Sequence, residues 1–95
     1  MNACEITLNV AVNLGRLARW AHEGKINRLD QFLQETQEYV GLLESAPKSE
    51  RFMPTFIFFQ SEFNRLKIDS VRDERWAEEM LTWANILTHR AKLAN

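Results

Sequence analysis

Residues that form disulfides or interrupt helices and strands are scarce in this sequence, which has one cysteine, three glycines and two prolines among its 95 residues. The single cysteine, Cys4, cannot form a disulfide within the chain. So few glycines and prolines argue against a fold built from many short strands and turns. Apolar stretches are also short, since none approaches the roughly 18 residues that a transmembrane helix needs. The first residues lack the pattern of a secretory signal, so we expect a cytoplasmic protein with no membrane contact.

An excess of charge of either sign is missing as well. The chain has 12 lysines and arginines against 13 aspartates and glutamates, a formal net charge of −1. Most nucleic-acid-binding domains carry a marked basic excess, so any binding of phosphates here requires a local cluster of cations. With 45% apolar and 26% charged residues, the composition is that of one globular domain.

Turn-forming residues are concentrated at three places, around Gly24, Pro47 and Ser70, and divide the chain into four segments. Gly24 suits a helix C-terminus that needs a positive φ, and Pro47 disfavours helical geometry at the residue before it. The segments predict helices at about residues 4–23, 28–45, 51–67 and 71–93 of a single domain spanning 1–95. Short connections favour antiparallel neighbours, so the predicted fold class is all-α, an up-and-down four-helix bundle.

Apolar residues in the last three segments recur every three or four positions, the spacing that keeps side chains on one face of a helix. The three stripes are Leu29, Leu33, Thr36, Val40 and Leu43, then Phe52, Phe56, Phe59, Phe63 and Leu66, and then Ala77, Met80, Ala84, Leu87, Ala91 and Ala94. The first segment is ambiguous, because residues 6–14 also alternate between apolar and polar as a strand does. No second segment alternates in the same way and could pair with it, so a helix is favoured there.

Large apolar residues lie outside these stripes and need another place to be buried. On the fourth helix Trp76 and Trp83 are seven residues apart on one flank, and Ile86 and Leu93 are seven apart further round. On the third helix the angle of Phe58 places it opposite the core stripe. Aromatic side chains gathered on one flank are typical of protein interfaces, so we predict that these five residues form an interface and that the protein is a homodimer. The alternative is that both tryptophans seal the edge of the core and that Phe58 is an ordinary exposed residue.

The sequence offers no arrangement of side chains for catalysis or metal binding. In an antiparallel bundle His22 and His89 fall near opposite ends, roughly 20 Å apart at about 1.5 Å per residue, and cannot share a metal ion. Cys4 and His89 fall near the same end, but without a closed set of four ligands they make a poor zinc site. No serine lies in a strand-to-helix elbow, and there is no glycine-rich phosphate loop. We therefore predict no metal, no cofactor, no catalytic residue and no enzymatic activity.

The segment Arg-Leu-Ala-Arg-Trp-Ala-His, from Arg16 to His22, is similar to the signature of HEPN-type helical ribonucleases, an arginine followed a few residues later by a histidine. In that family the pair lies at a dimer interface and acts in RNA cleavage. Here Leu17 stands where the family commonly has a polar residue, and the segment falls on the first helix, whereas the family carries the motif late. We do not assign the chain to that family.

Basic residues are unevenly distributed over the predicted topology. The ends of the first and third helices meet the starts of the second and fourth at one pole, where the candidate anion-binding residues are Lys25, Arg28, Arg65, Arg72 and Arg75. Two helix N-termini also point to this pole, which favours a bound phosphate. Cations at helix C-termini and acids at N-termini are also ordinary helix-end chemistry. The sequence thus predicts a non-catalytic protein-interaction or regulatory module, with an anion- or RNA-binding module as the alternative.

Overall fold

The computed structural model describes all 95 residues and is built from helices alone. The four helices are α1 (Ala3–His22), α2 (Leu29–Ser45), α3 (Met53–Ile68) and α4 (Glu74–Arg90). Short 3-10 turns lead into α2 and follow α4, at Ile26–Arg28 and Ala91–Leu93. The predicted all-α four-helix bundle is confirmed, and its Cα atoms extend over 37 × 20 × 18 Å.

The first segment, which the sequence left open between helix and strand, is the longest helix of the bundle. It begins with a capping box, in which the Asn2 side chain accepts from the backbone N–H of Glu5 and the Glu5 side chain accepts from that of Asn2. It ends before Gly24, whose φ of 74° is the left-handed conformation expected of a glycine after a helix. A helix satisfies its own backbone, whereas a strand here has no partner strand to pair with.

The starts of α4 and α3 differ from the predicted ones because of local turn chemistry, and α4 ends at Arg90 where the 3-10 turn Ala91–Leu93 begins. α4 begins at Glu74 and not near residue 71, since the Asp73 side chain accepts from the backbone N–H of Trp76 and caps the helix there. Immediately before it, the Asp69 side chain accepts from the N–H of Val71 and keeps that stretch in a turn. α3 begins at Met53, so that Pro54 lies in its first turn, where a missing N–H leaves no hydrogen bond unmade.

Small and large side chains divide the core between the helices. The backbones of α1 and α4 approach most closely, and both helices bury alanines at seven-residue spacing, Ala11 and Ala18 on α1 and Ala77 and Ala84 on α4. The backbone of α3 stands further from its neighbours because it fills the space with rings. Those rings are the buried phenylalanines of the predicted stripe, Phe52, Phe56, Phe59 and Phe63.

Trp76 joins the end of α3 to the start of α4. Its side chain is only 2% exposed, and its indole N–H donates to the carbonyl oxygen of Leu66 at 2.9 Å. The guanidinium of Arg72 lies over the outer face of the same ring, 5.8 Å from its centroid. A buried indole whose only polar atom is hydrogen-bonded contributes its full apolar area to the core.

We expect Trp76→Phe to lower the free energy of unfolding by about 2 kcal/mol, because it removes both a buried hydrogen bond and part of the packed volume. Trp20 is a matched control, since it is only partly buried and packs edge-on against Phe32 at 4.4 Å. Trp20→Phe is expected to cost less than about 1 kcal/mol. Urea unfolding followed by circular dichroism measures both values, and equal losses would show that the Trp76 hydrogen bond contributes nothing.

Candidate functional site

The largest exposed aromatic side chain lies beside a groove between α3 and α4, which we call the aromatic groove. Its volume is about 380 Å³, and it is lined by Pro54, Thr55, Phe58, Trp83, Ile86 and Arg90. Phe58 is 61% exposed, and its ring lies 5.5 Å from that of Trp83, centroid to centroid. Trp83 and Ile86 are half-buried. The groove therefore presents a continuous apolar surface on the outside of the bundle.

The position of Trp83 is fixed from beneath by the core. The buried ring of Phe59 also lies 5.5 Å from that of Trp83, so the indole is held between one buried ring and one exposed ring. Phe58 and Phe59 are consecutive on α3, and the 100° step of the helix turns the first toward solvent and the second inward. The indole of Trp83 is thus packed against rings on two sides.

Polar groups lie along the α3–α4 line on either side of the apolar centre of the groove. At one end Arg90 donates to the hydroxyl oxygen of Thr55 at 3.0 Å. On the other side, seven residues after Phe58 on α3 and outside the lining of the groove, Arg65 donates to Glu62 at 3.1 Å and to Glu79 at 2.8 Å. These hydrogen bonds, that to Glu62 first and then that to Glu79, raise the pKa of the Arg65 guanidinium above its ordinary value. An apolar centre inside a polar rim is the usual anatomy of a protein interface.

Three of the five predicted interface residues come together here, and two do not. Phe58, Trp83 and Ile86 line the aromatic groove. Trp76 lies in the core, because it is level with the end of α3 and donates to a backbone carbonyl there. Leu93 lies in the 3-10 turn after α4, packs against the core, and does not line the groove.

The groove has three further lining residues that were not among the predicted interface residues, namely Pro54, Thr55 and Arg90. Helical spacing alone places two of them beside a predicted interface residue. Pro54 precedes Phe58 by four residues, and Arg90 follows Trp83 by seven, so both share a helix face with a predicted interface residue. Thr55 is revealed only by its contact with Arg90 on the other helix.

The predicted basic pole is largely neutralised by acidic partners. Lys25 pairs with Glu23 at 3.3 Å, and Arg72 pairs with Asp30 at 2.6 Å, which ties the two connections at this end together. Arg65 belongs to the rim of the aromatic groove, with two carboxylates of its own. Of the five candidate anion-binding residues, Arg28 and Arg75 alone are in no ion pair.

Two unpaired cations predict only a shallow salt dependence if the pole binds RNA. Each neutralised phosphate of a single strand contributes a slope of about −0.7 to log K against log salt, so Arg28 and Arg75 supply about −1.4 and all five cations about −3.5. Titrating labelled single-stranded RNA at several salt concentrations measures this slope. We expect no slope steeper than the first value, and loss of any binding in Arg28→Glu/Arg75→Glu. A slope near about −3.5 would instead show that all five cations at the pole take part in binding RNA.

The histidines, the cysteine and the carboxylates form no further site. His22 Nδ1 lies 3.9 Å from Glu74 on the surface, and His89 Nδ1 contacts the carbonyl oxygen of Asn85 within its own helix. Cys4 is half-buried. Nowhere do three side chains of metal-ligating type gather.

None of the helices combines the length and apolar character needed to cross a bilayer. No protein-family model, no curated protein and no solved structure matches the chain. Function therefore has to be inferred from the surface of the bundle.

Proposed function

We propose that this protein is a non-catalytic protein-interaction module that works as a homodimer, and that the aromatic groove is its contact surface. The observation that carries the proposal is the tilted contact between Phe58 and Trp83, in which an exposed ring is supported by a half-buried one. Tryptophan and other aromatic residues supply most of the binding energy at protein interfaces when they lie at the centre of a contact.

The groove is prepared for binding because its aromatic side chains are already ordered. Trp83 is wedged between Phe58 and Phe59, so association freezes few additional torsions. Binding surfaces that are organised in advance avoid an entropy cost of about 0.5–1.5 kcal/mol for each flexible side chain that would otherwise be immobilised.

The charges at the two ends favour a second copy of the chain as the partner. One end carries the cation Arg90, and the other carries Glu62 and Glu79 around Arg65, a net charge of −1. A two-fold axis that lies in the contact plane and crosses the groove exchanges these ends. Each Arg90 then approaches the acidic end of the other copy, while the apolar centres meet in the middle.

The face that contains the groove is large enough for a specific contact. The bundle is 37 Å long and about 20 Å wide. Such a face is on the scale of the roughly 800 Å² that each partner buries in an interface of standard size. The ion pairs at the basic pole favour this interaction role over the alternative of anion or RNA binding.

Substitution of Phe58 tests the proposal, and Ile57 provides a matched control. Ile57 is 59% exposed, close to the 61% of Phe58, but it does not line the aromatic groove. We expect Phe58→Ser to raise the dissociation constant of self-association at least about tenfold, as loss of a central aromatic contact does, and Ile57→Ser to leave it unchanged. Sedimentation equilibrium at micromolar concentration measures both. A wild-type chain that is monomeric under these conditions, or equal effects of the two changes, would contradict the proposal.

A further inference from the structure

A second groove lies on a different face of the bundle, between α1 and α4. It has a volume of about 390 Å³, and its lining includes Gly15, Ala18 and Arg19 from α1 and Ala77, Glu78 and Leu81 from α4. We call it the α1/α4 groove. Leu81 is 48% exposed beside it. Two more exposed apolar residues, Leu8 and Val12, precede Gly15 on the same stripe of α1.

Gly15 leaves open space in this groove, which we call the Gly15 notch. A Cβ atom at this position would meet nothing within 4 Å, and the φ of Gly15 is not positive. Neither packing nor backbone conformation therefore requires a glycine, although glycine in the interior of a helix lowers stability. The space at Gly15 is open, so a side chain of another molecule can approach the helix backbone there.

The walls of the α1/α4 groove carry opposite charges that are not satisfied within the chain. Arg19 lies on the α1 wall and Glu78 on the α4 wall, and neither forms an ion pair. At the end of the groove His22 Nδ1 on α1 lies 3.9 Å from the carboxylate of Glu74 on α4. Each wall is therefore complementary to the other wall.

We propose that the α1/α4 groove is a second surface for self-association, in which Leu81 of each copy enters the Gly15 notch of the other. A two-fold axis parallel to the helices places α1 of one copy over α4 of the next at the same height. Because α1 and α4 are antiparallel, His22 is level with Glu74, and Gly15 and Leu81 meet at one groove. The same axis therefore brings Arg19 of one copy to Glu78 of the other.

The proposed contact at the α1/α4 groove is independent of the aromatic groove, so the two together would allow assemblies larger than a dimer. The two grooves share α4 but use different sides of it, since none of the residues that line one lines the other. A chain with two self-complementary faces links pairs of molecules into larger assemblies.

The test uses the full chain with Phe58→Ser, which removes the proposed contact at the aromatic groove. We expect this chain still to dimerise as its concentration rises toward the millimolar range, in sedimentation equilibrium. Adding Gly15→Leu fills the notch and should weaken this dimer at least about tenfold. Because leucine is a far better helix former than glycine, the same change should raise the melting temperature or leave it unchanged. Loss of association without loss of stability separates a contact surface from a folding defect.

Gly41 on α2 provides the matched control, because a Cβ there also meets nothing within 4 Å and Gly41 lines neither groove. Gly41→Leu should leave the dimer unchanged. Arg19→Glu should weaken the dimer, and Arg19→Glu/Glu78→Arg should restore it. A Phe58→Ser chain that stays monomeric at every concentration overturns this inference, as do equal effects of Gly15→Leu and Gly41→Leu. Failure of the aromatic-groove proposal is distinct, because then Phe58→Ser does not change the self-association of the otherwise wild-type chain.

Discussion

The close approach of α1 to α4 is the contact on which the other surfaces of the bundle depend. Both helices bury alanines where they meet, and small side chains let two backbones come together. Since α4 turns its small residues to α1, its large ones, Trp76 and Trp83, face α3. The phenylalanines of α3 fill that wider space, and the ring that does not fit inside, Phe58, covers Trp83 from the outside.

The two grooves are consequences of the same division of side-chain size. Along the α1–α4 line the lining includes glycine from α1 and alanine from both helices, and charged residues flank them on either side. Along the α3–α4 line the floor is an indole ring, and the charges are confined to the ends. In both cases the pattern of charge is complementary to itself under a two-fold axis, although the axis runs along the helices in one case and across them in the other.

Several cations that the sequence predicts as an anion-binding cluster at the basic pole are in ion pairs in the folded chain. Chain topology does bring the two connections together, and the bond between Arg72 and Asp30 joins residues 42 positions apart. Folding places acidic residues beside some of these cations, so that three of the five candidate anion-binding residues, Lys25, Arg65 and Arg72, are in ion pairs. The one guanidinium with two carboxylate partners, that of Arg65, serves the rim of the aromatic groove.

Helical spacing predicts which residues share a face, but it does not predict how deeply each is buried. Trp76 and Trp83 lie on one flank of α4, yet the first is in the core and the second is at the surface. The difference comes from their neighbours on α3, because Trp76 lies level with the carbonyl of Leu66 at the end of that helix and donates to it. Trp83 lies level with the middle of α3, where Phe59 already occupies the interior.

The sequence alone determined the all-α class, the four helices and their approximate bounds, through its few glycines and prolines and the period of its apolar stripes. These features depend on residues that are near one another in the chain. For the first segment the sequence favoured a helix over a strand, and the structure shows the helix Ala3–His22. Tertiary structure alone decided which aromatics remain exposed, which cations are paired and where Gly15 leaves an open notch. Each of these depends on contacts between residues that are distant in sequence, whose relative heights and angles are set by the packing of the helices and not by local pattern.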